Sequence, residues 1–258
     1  METGMNADTT LLQPTELLDF CRGPISSLIE KRGWLALSEH GRIGAAYDFV
    51  RNEIHFGYNR ADNIPASVVL MDGYGQCNTK ATLLMALLRA LGFPCRLHGF
   101  TIHKALQRGV VPEAVYPIAP VEILHSWVEV RVIGTWVNLE GFILDTDYLT
   151  RLQAHFPGRK EFCGYGIGTD CLGAPPVDWR GGDTYIQRTG ITRDLGTFDA
   201  PDEFYRQHRQ EFGRLRGRLY RHGIRHWMNA RVAALRSGRL VPSPEITAHN
   251  QEEPHHAA

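Results

Sequence analysis

One segment limits the fold more than any other: Asp72 to Arg96, DGYGQCNTKATLLMALLRALGFPCR. From Thr79 to Leu91 it reads as a helix, in which Leu83, Leu84, Ala86, Leu87, Leu88 and Leu91 leave only a narrow polar stripe. A helix with that pattern must be largely buried, so other elements have to cover it. Gly92 ends it and Pro94 forbids its continuation. Ahead of it, a helix is expected over Leu17–Glu30, interrupted near Gly23-Pro24. Another is expected over Arg42–Ile54, where Ile43, Tyr47, Val50 and Ile54 share one face. Between them and the buried helix, FGYNRADNIPASVVLMDGYGQ reads as loop, short helical turn, loop. Strands follow: CRLHGFTI, then EILHSWVEVRV and TWVNLEGFIL as a hairpin.

Helices followed by an antiparallel sheet make an α+β domain. Residues 157–200 are rich in Gly, Asp and Pro and read as long, ordered loops. A last helical region is expected over Asp202–Arg236, with Phe204, Phe212, Leu215, Leu219, Trp227, Met228 and Val232 as its apolar side. The domain expectation is 12–200 for the main domain, 201–240 for a helical extension packed on it, and 241–258 for a disordered tail. Residues 1–11 are expected to be loose.

Bulk composition narrows the class. The 258 residues are 43% hydrophobic and 22% charged with zero formal net charge, which names no polyanionic partner. No apolar run approaches the roughly 18–20 residues of a membrane span. The first residues lack a basic region followed by an apolar core, so no signal peptide is expected. Five cysteines without framework spacing fit reduced thiols and a cytoplasmic location.

Cys77 stands between the glycine turn and the helix. A thiol there meets unpaired backbone N–H groups and a positive local potential, both of which favour the nucleophilic thiolate. The plainer alternative is a small buried apolar residue. Gly73 and Gly75 allow the tight turn, and the same N–H groups suit an oxyanion. A nucleophilic thiol needs a base, and the base an orienter. In HSWVEVRVIGTWVNLEGF, His125, Trp127, Glu129 and Arg131 alternate onto one strand face. A turn centred on Ile133-Gly134 pairs Val132 with Thr135, Arg131 with Trp136 and Trp127 with Glu140. Glu140 then lies one diagonal step from His125. A three-residue loop would remove that pairing, and Ile is a poor residue for such a turn.

The set G-Q-C at 75–77, the helix end LLRALGFPCR, H-S-W at 125–127 and W-V-N-L-E at 136–140 resembles the transglutaminase-like superfamily, a branch of the papain-like cysteine enzymes. The resemblance, to a bacterial-type transglutaminase-like domain, covers about residues 40–145. It implies a Cys-bearing helix packed on an antiparallel sheet that carries the His and the acid. It matches Cys77 to the nucleophile and His125 to the general base. Glu140 stands where the family usually carries Asp, and Asp145 is the alternative orienter. The implied chemistry is acyl transfer from an amide or peptide bond through a thioester, as a hydrolase or an acyltransferase to an amine. A catalytically inactive domain that binds a peptide or protein is the alternative. The Cys77 N–H, with Gln76, would line the oxyanion site, and Trp127 and Trp179 are candidate substrate contacts.

No cofactor is expected. Cys163-x7-Cys171 lacks zinc-pair spacing, His98-x4-His103 falls on a strand and loop, and no acidic calcium loop is visible. The G-x-G near 164–166 lacks the strand-turn-helix setting of a dinucleotide site. Cys21 and Cys95 are expected in the core. From Pro201 to Leu240 there are ten Arg against Asp202, Glu203 and Glu211. A solvated helix face explains them better than a nucleic-acid or membrane surface. The expected partner is a peptide, protein or small amide substrate. Tyr165, Trp179 and Asp183, in the glycine-rich loop, are expected to line or cover the substrate cleft.

Overall fold

The computed structural model describes residues 9–21, 23–210 and 214–243. The chain opens with helices α1 (Pro24–Arg32) and α2 (Glu39–Asn52). Ser38 caps α2 by accepting the Gly41 N–H at 3.2 Å, and Ile43, Tyr47 and Val50 turn inward at helical spacing. The short strand β1 (His55–Phe56) runs parallel to β2 (Tyr74–Gly75), and α3 (Ala66–Asp72) lies between them. Next comes α4 (Cys77–Ala90), whose residues 77–89 are all buried.

α4 is enclosed because α1, α2 and α3 pack on one side of it and the sheet on the other. Leu83, Leu84, Leu87 and Leu88 have no exposed surface. Burial of each contributes about 2 kcal/mol. Its polar residues are bonded inside the protein. Asn78 Nδ2 donates to the Leu124 carbonyl at 3.1 Å, and Lys80 Nζ donates to the Ile143 and Arg51 carbonyls at 2.9 and 3.2 Å. Burial holds the Lys80 ammonium well below the usual lysine pKa.

The sheet is antiparallel, in the order β5-β4-β3-β8, from β3 (Cys95–His103), β4 (Glu122–Val132), β5 (Thr135–Leu139) and β8 (Ile191–Phe198). Between β5 and β8 lie α5 (Thr146–His155) and the hairpin of β6 (Phe162–Gly164) and β7 (Ile167–Thr169). Residues 157–200 are thus not merely loops, since β8 is an edge strand of the main sheet. The β4–β5 turn is the two-residue kind, with Ile133 at φ 46° and Gly134 at φ 80°, and pairs Val132 with Thr135 and Arg131 with Trp136. Ile133 is strained by about 1 kcal/mol in this left-handed conformation. Its side chain is 95% exposed, so nothing else depends on it.

The chain closes with α6 (Pro201–Gln207), α7 (Arg214–Leu219), a π turn (Tyr220–Ile224) and α8 (Arg225–Arg236). Phe204 docks α6 on the sheet over Gly99, where a Cβ would stand 2.4 Å from its ring. α8 is tied to the β1 region. Asn229 accepts the Tyr58 N–H at 2.7 Å, and Arg236 bonds the Asp145 carboxylate at 2.7 and 2.9 Å. Met228, Val232 and Leu235 face inward, but Leu219 and Trp227 are half exposed, contrary to the uniform apolar side expected. The Phe212 and Leu215 side chains, residues 1–8 and most of the proposed tail lie outside the described residues.

Candidate active site

Cys77 is the first residue of α4 and is 8% exposed. The chain reaches it through β2, and the approach is tight. A Cβ on Gly75 would stand 2.6 Å from Thr79 Oγ1. Gln76 is held by its surroundings. Its Oε1 accepts the Asn59 N–H at 2.9 Å and its Nε2 donates to Asp62 Oδ1 at 2.8 Å. Its amide therefore binds the 59–62 loop and sits beside the thiol.

His125 lies in mid-strand on β4, opposite Phe100 of β3, with no exposed surface. Its Nε2 is 2.8 Å from Glu140 Oε1. Glu140, equally buried, follows β5 directly. Its second oxygen accepts the backbone N–H groups of Ile186 and Gln187 at 2.8 and 3.0 Å. Three donors thus fix one carboxylate, and the carboxylate fixes the ring. The other ring nitrogen, Nδ1, is buried and has no hydrogen-bond partner among the described residues. Cys77 nevertheless acts on the imidazole by charge and by hydrogen bonding. Since Glu140 occupies Nε2, the thiol stands near Nδ1 without a well-aligned bond to it. Burial alone would lower the histidine pKa. The Cys77 charge and hydrogen bond, together with Glu140, overcome that and raise it well above the usual histidine range.

Asp145, the alternative orienter, is used elsewhere. It caps α5 through the Tyr148 N–H at 3.0 Å, accepts the Phe56 N–H at 3.0 Å and pairs with Arg236. Burial pushes its carboxyl up, but Arg236 and these N–H groups hold it below the usual carboxylate pKa. Trp127 is buried with its Nε1 on Asn138 Oδ1 at 3.1 Å, packed on Phe100 and at the edge of the His125 ring.

A cavity of about 520 Å³ opens onto Cys77, Gln76 and Asn78. Trp127, Trp179, Tyr165 and Asp183 do not line it. Trp179 stacks on His40 of α2, Tyr165 is bonded to Ser243, and Asp183 holds Asn138 at 2.8 Å. The 157–200 segment lies behind Glu140 and does not cover the cleft, because its backbone is engaged in holding that carboxylate. The cavity wall opposite the loops comes from the C-terminal segment, through Tyr205, Tyr220, Ile224 and Met228. Asp62, Tyr205 and the Ile186 and Gln187 N–H groups are the site features that sequence reasoning missed. A smaller hollow of about 450 Å³ beside Arg218 and His222 touches none of Cys77, His125 and Glu140.

Of the other thiols, Cys95 is buried and burial pushes it up to about 11. Cys21 is exposed, not in the core, and so is Cys171. Among the described residues no group of three or more His, Cys, Asp or Glu could hold a metal ion. No described helix is long and apolar enough to cross a membrane.

No curated protein sequence matches this chain. A solved structure, "a Putative Cysteine Protease from Cytophaga hutchinsonii", shares 14% identity over 76% of this chain with a TM-score of 0.42, and this chain spans 48% of that one. Residues 35–141 match the family model of the transglutaminase-like superfamily. That stretch, from just before α2 to the residue after Glu140, holds Cys77, His125 and Glu140 together, and it is the part of the chain that is similar to the transglutaminase-like superfamily.

Proposed function

We propose that the protein is a cysteine-dependent acyl-transfer enzyme that opens an amide or peptide bond through a thioester on Cys77. One observation carries the reading. His125 is buried, clamped by Glu140 on Nε2, and leaves Nδ1 unbonded on the side of a thiol at a helix N-terminus. Such a base cannot rotate away, and its cation is stabilised where it forms.

In the proposed reaction the Cys77 sulfur attacks the carbonyl carbon as a thiolate. The C–N bond breaks and the His125 imidazolium gives its Nδ1 proton to the departing amine. Water or an acceptor amine then attacks the thioester while neutral His125 takes its proton. The thiolate leaves and the pair is restored. The Cys77 backbone N–H, at the open end of α4, would receive the oxyanion. The Gln76 side chain, bound to Asn59 and Asp62, would position the turn and not the oxyanion.

The test is iodoacetamide labelling at neutral pH, read by peptide mass spectrometry. Accessibility alone would favour exposed Cys21 and Cys171 over Cys77. The proposal expects Cys77 to react first, and His125→Ala to abolish that lead. A slow Cys77, indifferent to His125, would overturn the reading and leave ligand binding without turnover as the function to pursue.

A further inference from the structure

The Cys77 cavity contains a carboxylate and a phenol that the reaction above does not use. Asp62 lines the cavity, and its Oδ1 is held at 2.8 Å by Gln76, the residue next to the thiol. Asn78 steadies it further. Among the described residues it forms no ion pair, although burial is the main influence on it and raises its pKa. Asp62 is half-buried, and a carboxylate partly removed from water without a cation is stabilised by a positive ligand. Tyr205 lines the same cavity. Its hydroxyl is buried with no hydrogen-bond partner among the described residues. Ser126 is near it but donates to Asn78 at 2.9 Å. Asp62 and Cys77 both act electrostatically on Tyr205, so the three groups face a common space.

We propose that Asp62 and Tyr205 form a subsite for a protonated primary amine of the substrate, beside the thiol of Cys77. The assignment rests on the reading of Cys77 as the reacting group. An ammonium offers three donors and no acceptor, and the carboxylate and the phenol oxygen supply acceptors for it. The amine is either the amino group of the acyl donor, or the acceptor, which is bound as the ammonium and gives a proton to neutral His125 before its nitrogen attacks the thioester. Arg60, Arg209 and Arg221 line the same cavity but are exposed, so solvent screens them. They would favour an anion, which gives the test a clear opposite outcome.

The experiment compares the rates at which a cationic and an anionic methanethiosulfonate modify Cys77, with cysteine in solution as reference. The cationic reagent is expected to be favoured by about tenfold, with the preference lost in Asp62→Asn and in Asp62→Ser. A preference unchanged by both substitutions, or one for the anion, overturns the proposal. A Cys77 that reacts with His125-dependent speed but without charge preference sinks this subsite alone. A Cys77 without His125-dependent reactivity sinks the enzymatic reading first. In the wild type, which needs no substitution, n-butylammonium should protect Cys77 from iodoacetamide and butyrate should not. Equal protection counts against the proposal. With p-nitrophenyl acetate as acyl donor, n-butylamine should speed turnover if the subsite holds the acceptor and slow acylation if it holds the donor's amino group. No effect on either step counts against both.

Discussion

Replacing Glu140 by Gln changes almost no volume but breaks the donor count at the buried pair. The carboxylate accepts from His125 Nε2 at 2.8 Å, Ile186 N at 2.8 Å and Gln187 N at 3.0 Å. An amide has one accepting oxygen and two N–H donors. If its oxygen serves the two backbone N–H groups, its NH₂ faces His125 Nε2. The ring must then carry its proton on Nδ1 and cannot take one from Cys77. If its oxygen serves His125 instead, two buried N–H groups face an NH₂ and go unsatisfied. The first arrangement downgrades three charge-assisted bonds by about 1 kcal/mol each, and the second leaves two donors costing about 1–3 kcal/mol each. The first route comes to about 3 kcal/mol and the second to about 2–6 kcal/mol of lost stability in a urea titration. The imidazolium loses a similar amount, so Cys77 labelling at neutral pH should slow by about a hundredfold. Glu140→Asp, the residue usual in the family, is shorter by about 1.5 Å. It cannot reach His125 and the 186–187 backbone together, and should fall between Gln and wild type. An E140Q protein within about 0.5 kcal/mol of wild type, with Cys77 equally reactive, would refute the reasoning.

Two further outcomes follow from charges outside the pair. Arg236→Ala removes a guanidinium that bonds Asp145 twice and the Phe56 carbonyl at 2.9 Å. It should cost about 3 kcal/mol in denaturant unfolding and expose 214–239 to trypsin, and an unchanged midpoint and cleavage rate would contradict the anchoring role. His98 lies between Glu129 Oε1 at 2.6 Å and Asp194 Oδ1 at 2.9 Å. Burial pushes its pKa down, but the two carboxylates raise it above its usual value. Its stabilisation is therefore full below about 6.5, the unfolded value, and is lost as pH rises through the higher folded value. Glu129 and Asp194 are lowered, so their share is present above their unfolded values and is lost as pH falls through the folded ones. Urea midpoints of wild type should decline above about pH 6.5. His98→Gln should lessen that decline, leaving the part that the raised His125 contributes, and an equal decline in both would show that His98 does not set it.

The parts of the fold legible in the sequence are those where one local rule decides the outcome. α4 could only be central because its apolar residues run around most of its surface. The β4–β5 register followed from a two-residue turn, even though Ile133 had to enter left-handed space. β8 was hidden because Thr192, Arg193 and Asp194 in a row are exposed, and Gly196 breaks the alternation near its end. Its strand character comes from pairing with β3, not from its own pattern. The C-terminal apolar side failed for a geometric reason. The chain leaves helix after Gln207, and the π turn at Tyr220–Ile224 adds residues per turn and resets the helical phase. Leu219 and Trp227, set on one face by uniform periodicity, end up half exposed.

The same division runs through the site. Cys77, His125 and Glu140 each occupy a position that a motif can mark: a helix start, a strand face, a hairpin register. What holds Glu140 in place cannot be marked that way. The Ile186 and Gln187 contributions are backbone N–H groups, which any non-proline residue supplies, and they arrive across more than forty residues of chain. Asp62 and Tyr205 are ordinary residues in a loop and a short helix, and only packing brings them to one cavity. Tyr205, Tyr220, Ile224 and Met228 also lie beyond residues 35–141, the stretch that matches the family. The proposed chemistry therefore comes from the matched stretch, whereas one wall of the cavity comes from outside it. Substitutions in the C-terminal segment can reshape the cavity without touching His125 or the carboxylate that holds it, so the family match informs the reaction class far more than the substrate.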